Sequence, residues 1–257
     1  LDLYPRANKY QHAAEFTLTS GKRIGDSYQL PVASLVCNFP KPGKKQPSLL
    51  RHDDVETFFH EFGHLIHDIL SKTELMSQSG TSVAMDFVEA PSQMLENWVW
   101  NKEALSLFAK HYKTGEAIPQ QYIEKIKESA NFLEGMATLR QLSFGMLDLS
   151  WHAIDPSNIE DVKQHESEAF ESTRLYPDVA SNCMSTAFSH IFQGGYSAGY
   201  YSYKWAEVLD ADTFEYFTEN GIFNKDIADK FRENILSKGG TEHPMELYKR
   251  FRGKEPK

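Results

Sequence analysis

A mainly α fold with a small β-element near the N-terminus is the class that the 257-residue sequence predicts, on three observations. Only two early segments, AEFTL (14 to 18) and PVASLVCNF (31 to 39), are rich in β-forming residues, and the glycine-containing GKRIGD lies between them. After Gly43 the apolar residues recur at helical spacing through most of the chain. Gly115 to Pro119, Asp155 with Pro156, Pro177, Gly221, and Gly239 with Gly240 mark the turns between those helices.

In order, the first helix follows Asp53, which can cap it, with Glu56 three residues on as in a capping box and apolar residues at 58, 59, 62, 65, 66, 69 and 70. Further helices are predicted at about 92 to 111, 119 to 128, 130 to 152, 158 to 172, 196 to 218 and 224 to 236, with a short last one near 244 to 251. The chain is long enough to bury a real core as one large domain or two small ones, and no break in composition divides it. Hydrophobic residues at 40% and charged residues at 25% are ordinary globular values, which excludes the disordered and fibrous classes.

A formal net charge of -9 repels a phosphate backbone, and KPGKK at 41 to 45 is too short a basic run to reverse that, so no nucleic-acid partner is expected. No apolar stretch reaches the roughly 20 residues that a membrane helix needs, and LDLYPRANKY lacks the layout of a signal peptide. The two cysteines, Cys37 and Cys183, are too few for a disulfide framework and read as reduced, buried thiols. The expectation is a soluble, cytoplasmic protein without a membrane partner.

The stretch HEFGH at 60 to 64 lies in the middle of the first predicted helix. Residues four apart share a helix face, so His60 and His64 can reach one ion at the Zn–N distance of about 2.0 Å. Glu61 is turned slightly aside, as suits a base that takes the proton of a water without occupying a coordination site. Gly63 costs a helix up to about 1 kcal/mol relative to Ala, which points to an element packed tightly against it.

A catalytic zinc takes three protein ligands, so a third must come from elsewhere. The extended motif with Gly three and His six residues after the second His is absent, because His67 and Leu70 stand there. The alternative is a Glu from a second helix, within DFVEAPSQMLENW at 86 to 98. Glu89 follows His64 by 25 residues, room to turn through SQSGTS and return antiparallel, and its neighbours Phe87, Val88 and Ala90 are a costly setting for an unpaired carboxylate. The competing role for Glu89 is a surface acid at a helix start beside Pro91. Glu96 is the reserve ligand, His67 a core or supporting histidine, and Asp86 and Glu56 are supporting partners of the ligating imidazoles.

A second unusual stretch is HIFQGGYSAGYYSYKW at 190 to 205. Gly194 and Gly195 free the backbone, and Tyr196, Tyr200 and Tyr203 then recur at spacings of four and three, one face of a helix. A phenol that donates to a carbonyl oxygen gaining charge stabilises a transition state more than a ground state. Core packing with the hydroxyls satisfied locally is the competing role. His190 is open between a substrate contact and a structural histidine.

Together HEFGHLIH, SGTSVAMDFVEAPSQMLENW and GGYSAGYYSYKW resemble the thimet oligopeptidase family, and the likeness extends through LDLYPRANKYQHAAEF and KGGTEHPMELYKRFRG at the two ends. The resemblance implies a zincin-type helical catalytic domain and a zinc-dependent endopeptidase that cuts short, unstructured peptides. It implies one Zn²⁺ on His60, His64 and Glu89, with Glu61 as general base and Tyr203 as the phenol at the oxyanion. It further implies Tyr196, Tyr200, Gly194 and Gly195 in a substrate loop, with His190 nearby. Family members carry a long helical region before LDLYPR, so residues 1 to 257 are expected to be a C-terminal catalytic portion. Apolar surface left open by that region makes self-association, or peptide binding with little turnover, the alternative expectation.

Overall fold

A computed structural model describes residues 1 to 257 and shows two compact units, residues 1–127 with 206–257, and residues 128–205. Nothing in the composition marks this division.

The first unit opens with a small β-element. Strand β1 (Ala14–Thr19) pairs antiparallel with β4 (Val32–Val36), Ala14 opposite Val36, with an irregularity between Thr17 and Thr19. Between them the segment read as a turn forms a second hairpin, β2 (Lys22–Ile24) with β3 (Ser27–Gln29). Its two-residue loop begins at Gly25, whose φ of 56° is what the first position of a tight hairpin loop asks of glycine.

Helix α1 (His52–Ile69) packs on β4, and Leu35, Cys37, Phe39 and Leu65 form the core between them with Phe58 and Phe62 against it. The helix begins earlier than predicted: Arg51 is extended (φ −76°, ψ 166°), and its N–H donates to Asp54 Oδ2 at 2.9 Å. Asp53 is therefore inside the first turn and Glu56 beyond it. Glu56 instead accepts from Trp100 Nε1 at 2.7 Å, so it supports no ligating imidazole.

The single helix predicted at 92 to 111 is three pieces. They are α3 (Ala90–Glu96), a 3₁₀ turn at Asn97–Trp100 and α4 (Lys102–Phe108), and a short α2 (Met85–Val88) precedes them and meets α3 at Glu89. Asn101 divides them, extended and accepting from Glu103 N–H at 2.8 Å, an Asn cap that restarts the helix. Helix α5 (Gln120–Ala130) begins near the end of the unit's first stretch.

In the second unit the helices are α6 (Glu134–His152), α7 (Val162–Phe170) and α8 (Met184–Ala187). Phe144, Leu147, Ile191 and Tyr200 form its core, with Trp151, Phe170 and Phe188 packed against it. Helix α9 (Ser202–Asn220) starts six residues later than predicted, so Tyr196 and Tyr200 precede it. The reason is local: Gly194, Gly195 and Ala198 have φ of 77°, 87° and 56°, and no right-handed helix runs through them.

The first unit is completed by the later part of α9 with α10 (Lys225–Phe231), a π-turn at Arg232–Leu236 and α11 (Pro244–Arg252). Phe217, Phe231 and Phe251 pack together there, and Asp212 accepts from Tyr248 Oη at 2.6 Å and Arg252 Nε at 3.0 Å. Helices dominate and strands are few, as predicted. No helix is long and apolar enough to cross a membrane.

Candidate metal centre

Helix α1 puts the imidazoles of His60 and His64 side by side, ring centroids 4.9 Å apart and planes at 83°. What brings a carboxylate to them is the approach of α3. A Cβ added at Gly63 would lie 2.5 Å from Ser92 Cα and 2.9 Å from Pro91 O, so only glycine lets the two backbones come so close. This is the tight neighbour that Gly63 in mid-helix predicted.

The chain reaches that position through a turn that is itself pinned. Gly80 N–H donates to Ser71 Oγ at 3.0 Å, and a Cβ on Gly80 would meet Asp68 Oδ1 at 2.0 Å. From the far end of the sequence Gly240 N–H donates to Gln78 O at 2.9 Å, and Cβ atoms on Gly239 or Gly240 would strike Gln78 O or Ser82 O. The diglycine read as a turn signal thus seats the loop that leads to Glu89.

Glu89 is 2% exposed, and its Oε2 lies 3.2 Å from His60 Nε2 and 3.2 Å from His64 Nε2. Two donors each about 2.0 to 2.1 Å from one tetrahedral ion are about 3.3 Å apart, so the spacing fits a shared zinc-sized cation. Ser92 Oγ donates to Glu89 Oε2 at 3.0 Å and holds the carboxylate in place. These three residues are the group of His, Cys, Asp and Glu side chains arranged to hold a metal.

The charges of these groups are strongly coupled. Burial alone would raise the Glu89 carboxyl, but the two imidazoles hold it far below the ordinary carboxylate range. Burial opposes charge on His60, yet the carboxylates of Glu89 and Glu96 outweigh it and push its pKa up to about 10. Glu96, the reserve ligand, takes a different place: its Oε1 is 2.6 Å from His60 Nδ1, on the side of the ring away from Glu89. A carboxylate on Nδ1 keeps the proton there and turns the Nε2 lone pair toward the cation position. The segment after Glu96 is itself fixed: His52 Nε2 lies 3.0 Å from Val99 O, and Trp98 packs on Phe214 and Phe217.

Glu61, the next residue along α1, has its carboxyl raised by burial, with His60 and His64 partly offsetting that. A residue that sequence reading passed over stands beside it. Glu15 on β1 has a buried Oε1 without a hydrogen-bond partner, and burial, with the charges of Asp68 and Glu61, pushes its carboxyl up to about 7. The one available signal was a Glu in a strand between apolar neighbours. His67 is fully buried, and burial lowers it to about 3, which makes it a neutral core histidine.

In the second unit the aromatic groups of the glycine-rich stretch converge by a turn rather than along a helix face. Tyr196 and Tyr203 stack at 5.4 Å and 17°, Tyr200 and Tyr203 lie 5.0 Å apart, and His190 Nε2 is 3.0 Å from Tyr203 Oη. Tyr200 is buried at 8% exposure and its hydroxyl donates to Gln141 Oε1 at 2.9 Å. Gln141 carries no motif that would have singled it out.

A mainly helical chain in which HEFGH and a glutamate from the following helices could hold one cation has the arrangement of the HExxH class of metal sites. More narrowly, the chain belongs to Peptidase family M3, whose family description matches residues 1–257. It is 46% identical over 259 residues to Oligopeptidase A of Escherichia coli (strain K12), an alignment that covers 100% of this chain and 38% of that protein. It is 40% identical over 238 residues to the Probable cytosolic oligopeptidase A of Arabidopsis thaliana, across 90% of this chain and 34% of that one. To Saccharolysin of Saccharomyces cerevisiae it is 38% identical over 258 residues, across 99% of this chain and 36% of the relative. The chain thus spans little more than a third of the length of these relatives.

Proposed function

We propose that this chain is the catalytic portion of a zinc-dependent endopeptidase that hydrolyses short, unstructured peptides in the cytoplasm. The observation that carries this reading is the pair of 3.2 Å separations from Glu89 Oε2 to the Nε2 atoms of His60 and His64. Membership of Peptidase family M3 supports peptide substrates, the name oligopeptidase among the relatives supports short ones, and the name of one relative, the Probable cytosolic oligopeptidase A, supports a cytosolic setting. Two imidazoles and a carboxylate are a donor set suited to zinc.

Zinc held by His60, His64 and Glu89 would polarise the scissile carbonyl and make water acidic enough to deprotonate near neutral pH. Glu61 accepts that proton as the water oxygen adds to the carbonyl carbon, then returns it to the amine nitrogen as the C–N bond breaks. Tyr203 donates a hydrogen bond to the carbonyl oxygen as it gains charge, with His190 orienting the phenol. Tyr196 and Tyr200, on the turn that starts at Gly194 and Gly195, shape the surface met by the substrate.

The coverage favours one other reading, in which this portion binds zinc, and peptides or a second copy of itself, with little turnover. A fluorogenic peptide separates the two: zinc-loaded protein should cleave it and a chelator should stop it. Cleavage that is absent or chelator-resistant sinks the peptidase reading. Glu61→Gln should retain zinc while turnover falls by roughly 10² to 10⁴; full activity removes Glu61 from the base role. Tyr203→Phe should lower kcat by about 10² to 10³ with KM little changed, and an unchanged kcat removes the phenol from the reaction.

A further inference from the structure

The turn that carries Tyr196 and Tyr200 is strained, yet one carboxylate ties it down. Asp148 on α6 is fully buried at 0% exposure. Its Oδ1 accepts from the Ala198 N–H at 2.8 Å, and its Oδ2 accepts from the Tyr200 N–H at 2.9 Å. One helical turn on, His152 Nδ1 lies 2.8 Å from the same Oδ1. The buried carboxylate is thus met by two main-chain amides, with the imidazole beside it hydrogen-bonded to the main-chain oxygen of Asp148 at 2.8 Å.

What these amides hold is a conformation the sequence would not keep by itself. Ala198 sits at φ 56°, a region an alanine occupies only when its surroundings impose it. Within the turn Gly199 N–H donates to Tyr196 O at 2.8 Å, Ser202 N–H donates to Gly199 O at 3.0 Å, and Ser197 Oγ donates to Ile191 O at 3.0 Å, but none of these bonds involves the Ala198 amide. The turn sets where Tyr196 stacks on Tyr203 and where Tyr200 meets Gln141.

We infer that Asp148 is a positioning residue: by accepting the amides of Ala198 and Tyr200 with separate oxygens, it fixes the turn that presents the tyrosine cluster to substrate. The chemistry requires both oxygens. An asparagine has the same shape but offers one acceptor and one N–H₂ donor, so one of the two amides would face another donor. If Asp148 merely filled space, that exchange would be silent.

The test is the Asp148→Asn variant beside the wild type, read by amide hydrogen exchange over 194 to 203, zinc content, and kcat and KM on the fluorogenic peptide. In the wild type the Ala198 and Tyr200 amides should be the slowest of the turn. In Asp148→Asn the turn should exchange roughly tenfold faster or more, and kcat should fall by roughly 10- to 100-fold while zinc content and KM change far less. Unprotected amides in the wild type, equal exchange in the variant, or faster exchange with an unchanged kcat would each overturn the inference. The kcat arm rests on the proposed function, whereas exchange does not. A wild type that cleaves nothing therefore defeats the peptidase reading and leaves exchange to decide Asp148. If the variant does not fold, protection of the two wild-type amides decides.

Discussion

An imidazole offers a metal one lone pair, and the hydrogen bond on its other nitrogen decides which one. At His60 that bond runs to Glu96, 2.6 Å from Nδ1. Glu96→Ala should leave His60, His64 and Glu89 in place and still weaken zinc binding by about 10- to 100-fold, because His60 is then free to rotate and change tautomer. Competition against a chromophoric chelator measures this directly, and an unaltered Kd would remove Glu96 from the metal site. His60, Glu61, His64 and Glu89 could be read from spacing, since four residues along a helix and a carboxylate among apolar neighbours are chemical statements in themselves. The place of Glu96 could not, because the same spacing makes it a plausible ligand until the ring nitrogen it meets is known. Glu15 was out of reach for a related reason: a strand at residue 14 and a helix at residue 61 share no pattern that would pair them.

Among the elements, the contact between α1 and α3 governs the candidate metal centre, and Gly63 governs the contact. Gly63→Ala should gain up to about 1 kcal/mol in helix propensity and lose more, since the new methyl sits 2.5 Å from Ser92 Cα. The expected result is a net loss of about 1 to 3 kcal/mol in metal-free stability, with weaker zinc binding as α3 carries Glu89 outward. Denaturant unfolding and zinc titration read the two effects, and undiminished zinc affinity would show that Gly63 does not set the distance to Glu89. Helix positions were legible because hydrophobic spacing reports them. Their ends were not: Asn101 interrupts the helix predicted from 92 to 111, and Ala198, in a conformation that nothing in its chemistry announces, delays α9 to Ser202.

For the whole molecule, acid stability offers a test through Glu166, 2% exposed in the second unit. Burial alone would raise its carboxyl, but the Ser185 N–H at 2.6 Å, the Ser185 hydroxyl, the Met184 N–H and Lys163 hold it down to about 2, against an ordinary value of 4.5. A folded-state pKa below the unfolded one stabilises the protein above the unfolded value and loses that contribution as pH falls toward the folded one. The wild type should thus lose on the order of 2 to 3 kcal/mol between about pH 4.5 and pH 2 that Glu166→Gln never had. Urea unfolding across that range should bring the two proteins together as the pH drops; a constant gap would rule the linkage out.

By itself the sequence determined the helical class, the early strands, the histidine pair with its neighbouring acid, and a glutamate able to complete a metal site. Each is encoded within a turn of helix or a few residues of strand, where spacing alone sets geometry. Tertiary structure decided the rest: that Oε2 of Glu89 meets both imidazoles at 3.2 Å, that Glu96 faces the far nitrogen, and that Asp148 holds a turn fifty residues away. Such distances depend on how closely two backbones approach, and that is set jointly by residues far apart in the chain, as Gly63 with Ser92 and Gly240 with Gln78 illustrate.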